Sequence, residues 1–350
     1  MRGGENVFAE FCKLFPDADI FTHAWNPSKL KEPFSSHRIT ETFISKLPGA
    51  KRKCQIYLPL MPMALRRLDL SGYDLILSSE SGPCKGIVKP AGARHVCYCH
   101  TPMRYLWDMF DDYYKATGLA GKIAMKTFRG YLRSYDRRSA DSVDQFIANS
   151  RFVAERIKRI YGRDSIVVYP PVDTDYFSPL PDVAPTESYL FTGQLIAYKR
   201  PDLALRACLE MGRELVFVGD GPMRPTLEKM ANGHPGIVFA GRADRPQLRL
   251  RYAKAKALLF PGIEDFGIVP LEAQAMGVPV IALGMGGALE TVVDGKTGVH
   301  FPAPTVESLC HAIETFEASR FDKNAIITHA RRFHRNVFLR KMREILNLSE

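Results

Sequence analysis

Two doubly wound α/β domains are the fold this sequence predicts, and three observations carry the prediction. Short β-branched or aromatic runs alternate with helical patterns along nearly the whole chain. Most of those runs are continuously apolar, as parallel strands covered by helices on both faces must be. One segment, Tyr169 to Ser188, interrupts the alternation midway. Its prolines (Pro170, Pro171, Pro179, Pro181, Pro185) can continue neither a helix nor a central strand. The 350 residues suit two domains at roughly 100–200 residues each. The division is a first domain over 1–175, a second over 176–330 and a closing helical segment over 331–350.

The predicted strands follow from local apolar runs. In the first half they are Asp19–Phe21, Asp74–Leu77, His95–Cys99, Gln145–Ala148 and Ile166–Tyr169. In the second half they are Tyr189–Thr192, Leu215–Val218, Ile237–Ala240, Ala257–Phe260 and Pro279–Ala282. A long basic pattern from Phe321 to Leu348 predicts a terminal helix.

Composition narrows the class. With 46% hydrophobic and 25% charged residues the chain is an ordinary globular one, which excludes collagen-like, disordered and disulfide-scaffold readings. No run of about 18 apolar residues is present, and the basic-then-apolar start of a secretory leader is absent, so a cytoplasmic chain is expected. The seven cysteines are odd in number and scattered, which suits reduced thiols. Cys97 and Cys99 lack a second pair and a spaced histidine, so they are expected on one face of a strand rather than on zinc. The net charge is +10, and residues 1–180 carry most of it, with 27 basic against 19 acidic side chains. That half is expected to face an anionic surface or partner.

Candidate chemistry gathers at predicted strand ends. Phe260-Pro-Gly-Ile-Glu-Asp-Phe-Gly-Ile-Val-Pro-Leu-Glu272 is a strand, a loop and a helix, with Pro270 expected at the first helical position. Glu264 falls in the loop and Glu272 in the helix's first turn. The amides of Phe266, Gly267 and Ile268 would point outward at the positive end of the dipole, where a phosphate binds. Two carboxylates would then hold hydroxyls on either side of a diphosphate. Earlier, Tyr189–Thr192 runs into Gly193, followed by Gln194, Lys199 and Arg200 in the same loop. At the carboxyl edge of a parallel sheet Lys199 would neutralise a diphosphate, and Arg200 would fork onto it or only flank it. Gly219 and Gly221 either let the backbone approach a nucleotide or make a sharp turn. They are not a dinucleotide fingerprint, because Arg224 occupies the third glycine position. Gly241-Arg242 ends the next strand, and Glu290 after Gly284-Met-Gly-Gly either supports the sugar or phosphate loop or is a surface residue beside a tight turn.

In the first half, Arg2-Gly3-Gly4-Glu5 opens the chain, for which the resemblance given below implies a turn, and His100, followed by Thr101-Pro102, should emerge at the rim of the sheet. Lys122, Lys126, Arg129, Arg133 and Arg137 recur at spacings that place them on one helical face. Such a face can lie on anionic lipid, or be the solvated side of a helix packed on the sheet. Lys51-Arg-Lys53, with Leu58, Leu60, Met61, Met63, Leu65 and Arg66-Arg67, is a second basic and apolar patch with the same two readings.

Taken together these residues resemble the retaining GT-B glycosyltransferases of family 4, especially the bacterial mannosyltransferase-like branch that builds O-antigen and exopolysaccharide. The stretches that carry the resemblance are Gly3-Gly4-Glu5, His100-Thr-Pro-Met-Arg-Tyr-Leu-Trp-Asp108, Ala148-Asn-Ser150, Tyr169-Pro-Pro-Val-Asp173, Tyr198-Lys199-Arg200, Gly219-Asp-Gly221 and Glu264-Asp-Phe-Gly-Ile-Val-Pro-Leu-Glu272. The resemblance implies two Rossmann-like domains facing a central cleft, with a C-terminal helix crossing back to the first. It implies transfer of a hexose, with GDP-mannose the favoured donor, to a polyprenyl-diphosphate-linked or oligosaccharide acceptor on the inner face of the cell membrane. Glu264 would hold donor-sugar hydroxyls, Glu272 the ribose, Lys199 the diphosphate, and the Phe266–Ile268 amides sugar and phosphate. Gly3 and Gly4 would approach the diphosphate, and His100 would lie near the reacting bond. The family works without metal or flavin, so no metal or cofactor is expected, and no nucleic-acid partner.

Two departures stand out. Many relatives carry arginine where this chain has Gln194, so either Arg200 substitutes or donor binding is weaker. Relatives also place a strand before the Gly-Gly turn, so the first domain is expected to lack one parallel strand, from a misassigned start or a truncation. Two other functions remain open: a nucleotide-sugar epimerase of the same architecture, and a non-catalytic nucleotide-sugar-binding subunit.

Overall fold

A computed structural model describes residues 3–28 and 32–348. The chain divides into two compact units, one ending at Tyr169 and the other beginning at Pro170.

The first unit opens with α1 (Gly3–Leu14), followed by β1 (Ile20–Thr22) and β2 (Ile39–Glu41), which pair in parallel. α2 (Ala50–Lys53) and α3 (Met61–Arg66) lead to a separate four-stranded parallel sheet, β3 (Leu75–Glu80), β4 (Arg94–Cys99), β5 (Gln145–Ala148) and β6 (Ser165–Val167), in sequential order. α4 (Phe110–Ala116) and α5 (Leu119–Ser139) join β4 to β5, and α6 (Arg151–Tyr161) joins β5 to β6. α6 has the ends its sequence promises. Ser150 Oγ accepts from the Val153 amide at 3.0 Å, and Gly162 closes the helix at φ +70°, the left-handed turn that a side chain resists. Val96 to Cys99 are fully buried. Cys97 and Cys99 share one face with Phe146 and Ala148, and both are free thiols.

The second unit alternates strands and helices: β7 (Tyr189–Thr192), α7 (Pro201–Glu210), β8 (Leu215–Val218), α8 (Arg224–Ala231), β9 (Ile237–Gly241), α9 (Arg245–Lys254), β10 (Leu258–Phe260), α10 (Ile268–Ala275), β11 (Val280–Leu283), α11 (Ala288–Thr291) and β12 (Gly298–Phe301). α12 (Val306–Ala318), α13 (Lys323–Arg331) and α14 (Arg335–Leu346) complete it. The sheet order is β12-β11-β10-β7-β8-β9, parallel throughout. Helices cover both faces, over a core containing Phe191, Leu205 and Phe217 on one side and Leu190, Tyr252 and Leu258 on the other. Each unit is therefore a Rossmann-like parallel-sheet layer structure, as the sequence predicts.

Several local expectations change. β2 and β12 were not predicted: Ile39-Thr-Glu41 is half-exposed with one apolar residue, and Gly298-Val-His-Phe301 lacks a continuous apolar run. The basic terminal pattern is two helices rather than one. Phe333 turns into the core between them, and His334 Nδ1 accepts from the Asn336 amide at 3.1 Å to cap α14. Gly3 and Gly4 are not a turn but the first residues of α1; Met1 and Arg2 lie outside the described residues.

Candidate active site

In the second unit the strand order reverses between β7 and β10. Chains leaving β7 run toward β8 and β9, while those leaving β10 run toward β11 and β12. The crevice beyond the carboxyl ends of those two strands is where open α/β sheets bind ligands. Two of the sequence candidates meet there: Lys199 Nζ lies 2.5 Å from Glu264 Oε1, with both side chains mostly enclosed. A loop acid and a loop lysine 65 residues apart thus form one charged pair.

Glycines set the walls. Gly219 sits at φ +139°, and a Cβ there would land on the Gly193 carbonyl oxygen; one at Gly221 would land on the Leu195 carbonyl. The backbone they let approach is thus the Gly193–Leu195 loop. Gly262, unassigned by the sequence reading, packs so tightly that its Cβ would lie 2.6 Å from Lys199 Cα. Gly287 presses on Phe266, and its amide donates to the Glu264 carbonyl at 2.8 Å. Only the fold reveals these last two roles.

α10 begins at Ile268 after Gly267, which caps it at φ +94°. Pro270 is therefore the third helical residue rather than the first, and Glu272 lies in the second turn rather than the first. The opening amides of the helix have no intrahelical acceptor by position. The Phe266 ring is a core anchor, 3% exposed and packed on Phe333 at 5.8 Å, so only its amide could serve a ligand. Glu272 receives the Tyr252 hydroxyl on Oε2 at 3.0 Å. Burial pushes its carboxyl up to about 7, partly offset by that hydrogen bond.

The arginines take lesser places. Arg200, at φ +53°, caps α7. Its guanidinium bonds Asp202 at 3.2 Å and the Pro304 carbonyl at 3.4 Å, and Gln194 is exposed. Arg242 is 86% exposed, 3.8 Å from the Asp220 carboxylate that also caps the Gly221 amide.

In the first unit His100 follows the end of β4, as predicted. Its Nε2 lies 2.9 Å from Ser79 Oγ, and a Cβ on Gly4 would sit 3.5 Å from the same nitrogen, so the head of α1 abuts the ring. Burial lowers His100 to about 4, leaving it neutral at ordinary pH. The strand end beneath is fastened by a buried ion cluster that the sequence did not disclose. Lys85 Nζ pairs with Glu80 at 2.6 Å and also with Asp136, and all three side chains are inaccessible. Trp107 Nε1 donates to Asp136 at 2.7 Å, tying the segment after His100 to α5. Burial raises Glu80 to about 7 against the opposing pull of Lys85.

Each half of the chain matches a known protein family. Residues 1–176 match the family described as Glycosyltransferase Family 4, and residues 178–333 match Glycosyl transferases group 1. A GDP-mannose-dependent alpha-(1-6)-phosphatidylinositol monomannoside mannosyltransferase of Mycolicibacterium smegmatis is 32% identical over 205 residues, 51% of this chain and 54% of that protein. D-inositol 3-phosphate glycosyltransferase 2 of Catenulispora acidiphila is 32% identical over 228 residues, 55% and 53% of the two chains. The chain thus spans about half the length of the curated relatives it matches. Among solved structures, Anabaena HepE in complex with UDP superposes with TM-score 0.73 at 17% identity, covering 99% of this chain and 96% of that one. A glycosyltransferase from Rickettsia africae gives 0.68 at 19%, covering 99% and 95%. The fold is that of the GT-B glycosyltransferases, and with its first half matched throughout, the chain belongs to glycosyltransferase family 4.

Proposed function

We propose that this protein is a retaining hexosyltransferase that moves mannose from GDP-mannose to a hydroxyl of a lipid-diphosphate-linked or other oligosaccharide acceptor in cell-surface polysaccharide synthesis. The observation that carries the reading is the Lys199–Glu264 pair at the switch point of the second sheet, with Glu272 on the helix that follows. The M. smegmatis relative, named as GDP-mannose-dependent, supports the choice of donor.

Lys199 neutralises the diphosphate, the role a divalent ion plays in other transferases, and needs no metal or cofactor. Glu264 takes donor-sugar hydroxyls and Glu272 the ribose diol, while the opening amides of α10 receive sugar and phosphate oxygens. The bond from the anomeric carbon to the leaving phosphate oxygen breaks, the acceptor oxygen bonds the same face, and its proton passes to the leaving phosphate. No side chain is assigned as covalent nucleophile, in contrast to the two-carboxylate route of many hydrolases.

Thermal shift against GDP-, UDP- and dTDP-sugars tests the donor, since a ligand at a hundred times its Kd stabilises by about 2.7 kcal/mol. Transfer to lipid-linked oligosaccharide, read by mass spectrometry, tests the reaction. A second reading, a nucleotide-sugar-binding subunit, draws support from Gln194 and from Arg200 being held by Asp202. It predicts donor binding with no product. Conversion of donor without acceptor would instead indicate an epimerase.

A further inference from the structure

β3 and β4 pair with Ser79 opposite Tyr98, and the ladder runs one bond further, from the His100 amide to the Glu80 carbonyl at 2.8 Å. Alternation along a strand therefore puts Ser79, Tyr98 and His100 on one face of the sheet. α1 covers that face. Its Phe11 packs edge-on against Tyr98 at 5.6 Å, and a Cβ on Gly4, about two turns earlier, would lie 3.5 Å from His100 Nε2. Tyr98 meets the imidazole at 5.1 Å and 62°. The ring is thus held on two sides, and its two nitrogens face different surroundings.

Nε2 is the closed nitrogen. It lies 2.9 Å from Ser79 Oγ and against the head of α1. Nδ1 has no hydrogen-bond partner among the described residues, and the side chain keeps some accessible surface. Burial keeps the imidazole neutral, so one nitrogen carries the proton and the other accepts. Two effects place that proton on Nδ1. Among the described residues Nε2 is the one hydrogen-bond partner of Ser79 Oγ, so a proton on Nε2 would leave the serine hydroxyl with no protein group to donate to. The positive end of the α1 dipole also disfavours a proton on the nitrogen it abuts. The serine itself is fixed at the strand end, where the Cys84 thiol donates to its carbonyl at 3.3 Å.

We infer that Ser79 is a positioning residue for His100: its hydroxyl donates to Nε2, the imidazole proton is thereby held on Nδ1, and Nδ1–H becomes a directed donor to a ligand oxygen at the carboxyl end of β4. A sugar hydroxyl oxygen, an acceptor, fits such a donor; an ammonium or amide N–H does not. The choice of a sugar hydroxyl rests on the proposed sugar transfer, whereas the tautomer is a property of the free chain.

The test is nitrogen NMR of the full chain carrying isotope-labelled histidine, with the His100 signals identified as those lost in H100N. The parent should show a protonated Nδ1 and an unprotonated Nε2, and so should S79T, which keeps the hydroxyl. S79V has the shape of S79T without the hydroxyl and suits a strand; it should lose the preference for Nδ1. In turnover with nucleotide sugar and acceptor, S79V should fall at least about tenfold in kcat with little change in donor KM, and S79T should recover the rate. Matching amide spectra and unfolding temperatures separate a changed tautomer from a lost fold. A proton on Nε2 in the parent would overturn the inference, as would identical tautomer populations in S79V and S79T. Unchanged turnover in an S79V whose tautomer has moved would remove Nδ1–H as the donor to the ligand. Expected spectra in a chain that transfers no sugar would sink the sugar-transfer reading and leave the Ser79–His100 assignment standing.

Discussion

The Tyr252 hydroxyl donates to Oε2 of Glu272 across 3.0 Å, from a tyrosine with no accessible surface. One carboxylate oxygen is thus occupied, the side chain is oriented, and Oε1 is left for a ligand. Because burial holds this carboxyl near 7 instead of its ordinary 4.5, its charge changes close to neutral pH.

Nucleoside-diphosphate affinity should therefore strengthen as pH rises through about 7, because the ionised carboxylate is the better acceptor for ribose hydroxyls. Y252F removes the bond that favours the charged form, so the break should move upward in pH. Calorimetric titrations across pH check this. The loss should disappear with a dideoxyribose nucleotide, which a purely structural role for Tyr252 would not produce.

Lys199 and Gln194 should act in opposite directions. K199A should weaken nucleoside-diphosphate binding by about 1.5–3 kcal/mol, the range for a hydrogen bond to a charged group. Q194R, placing a cation on an exposed loop position, should tighten it. Equal affinity for parent and Q194R would remove position 194 from the phosphate contacts.

Gly219→Ala should cost more than about 3 kcal/mol in urea denaturation, since it combines strained backbone with a collision against the Gly193 carbonyl. Gly233→Ala is the contrast: φ is +70° but nothing lies within 4 Å, so a cost of only about 1–2 kcal/mol is expected.

Removing Lys85 should be among the most damaging changes in the first unit. K85M strands two buried carboxylates, at a cost of about 3–5 kcal/mol. Glu80 already ionises near 7 in the folded chain against 4.5 when unperturbed. Its stabilising contribution is complete below the lower value and lost as pH rises through the upper one. Without Lys85 that upper value climbs, so the destabilisation should be larger at about pH 8 than at about pH 5. Denaturation at both pH values reads the difference.

Legibility in the sequence followed burial. β4, β5, β7 and β8 announce themselves because strands covered on both faces are uninterrupted apolar runs. β2 does not, since its three residues are half-exposed and two are polar. Lys199 and Glu264, proposed from strand-end position and residue type, do come together. Tyr252, 20 residues from Glu272 on the preceding helix, carries no local mark of its role. In the second patch, Met61 and Leu65 proved to be core while Leu60 and Met63 stayed outside. A run of apolar residues states how much will be buried, but not which side of a short helix turns inward.

The contacts of Gly219 and Gly221 on the Gly193–Leu195 loop, of Gly262 on Lys199 and of Gly287 on Phe266 leave no slack among four separate segments. Each segment occupies volume that another has vacated by lacking a side chain. They form a single keyed part, so transplanting one from a relative imports a mismatch at its neighbours. Any redesign of this rim will have to exchange the set together.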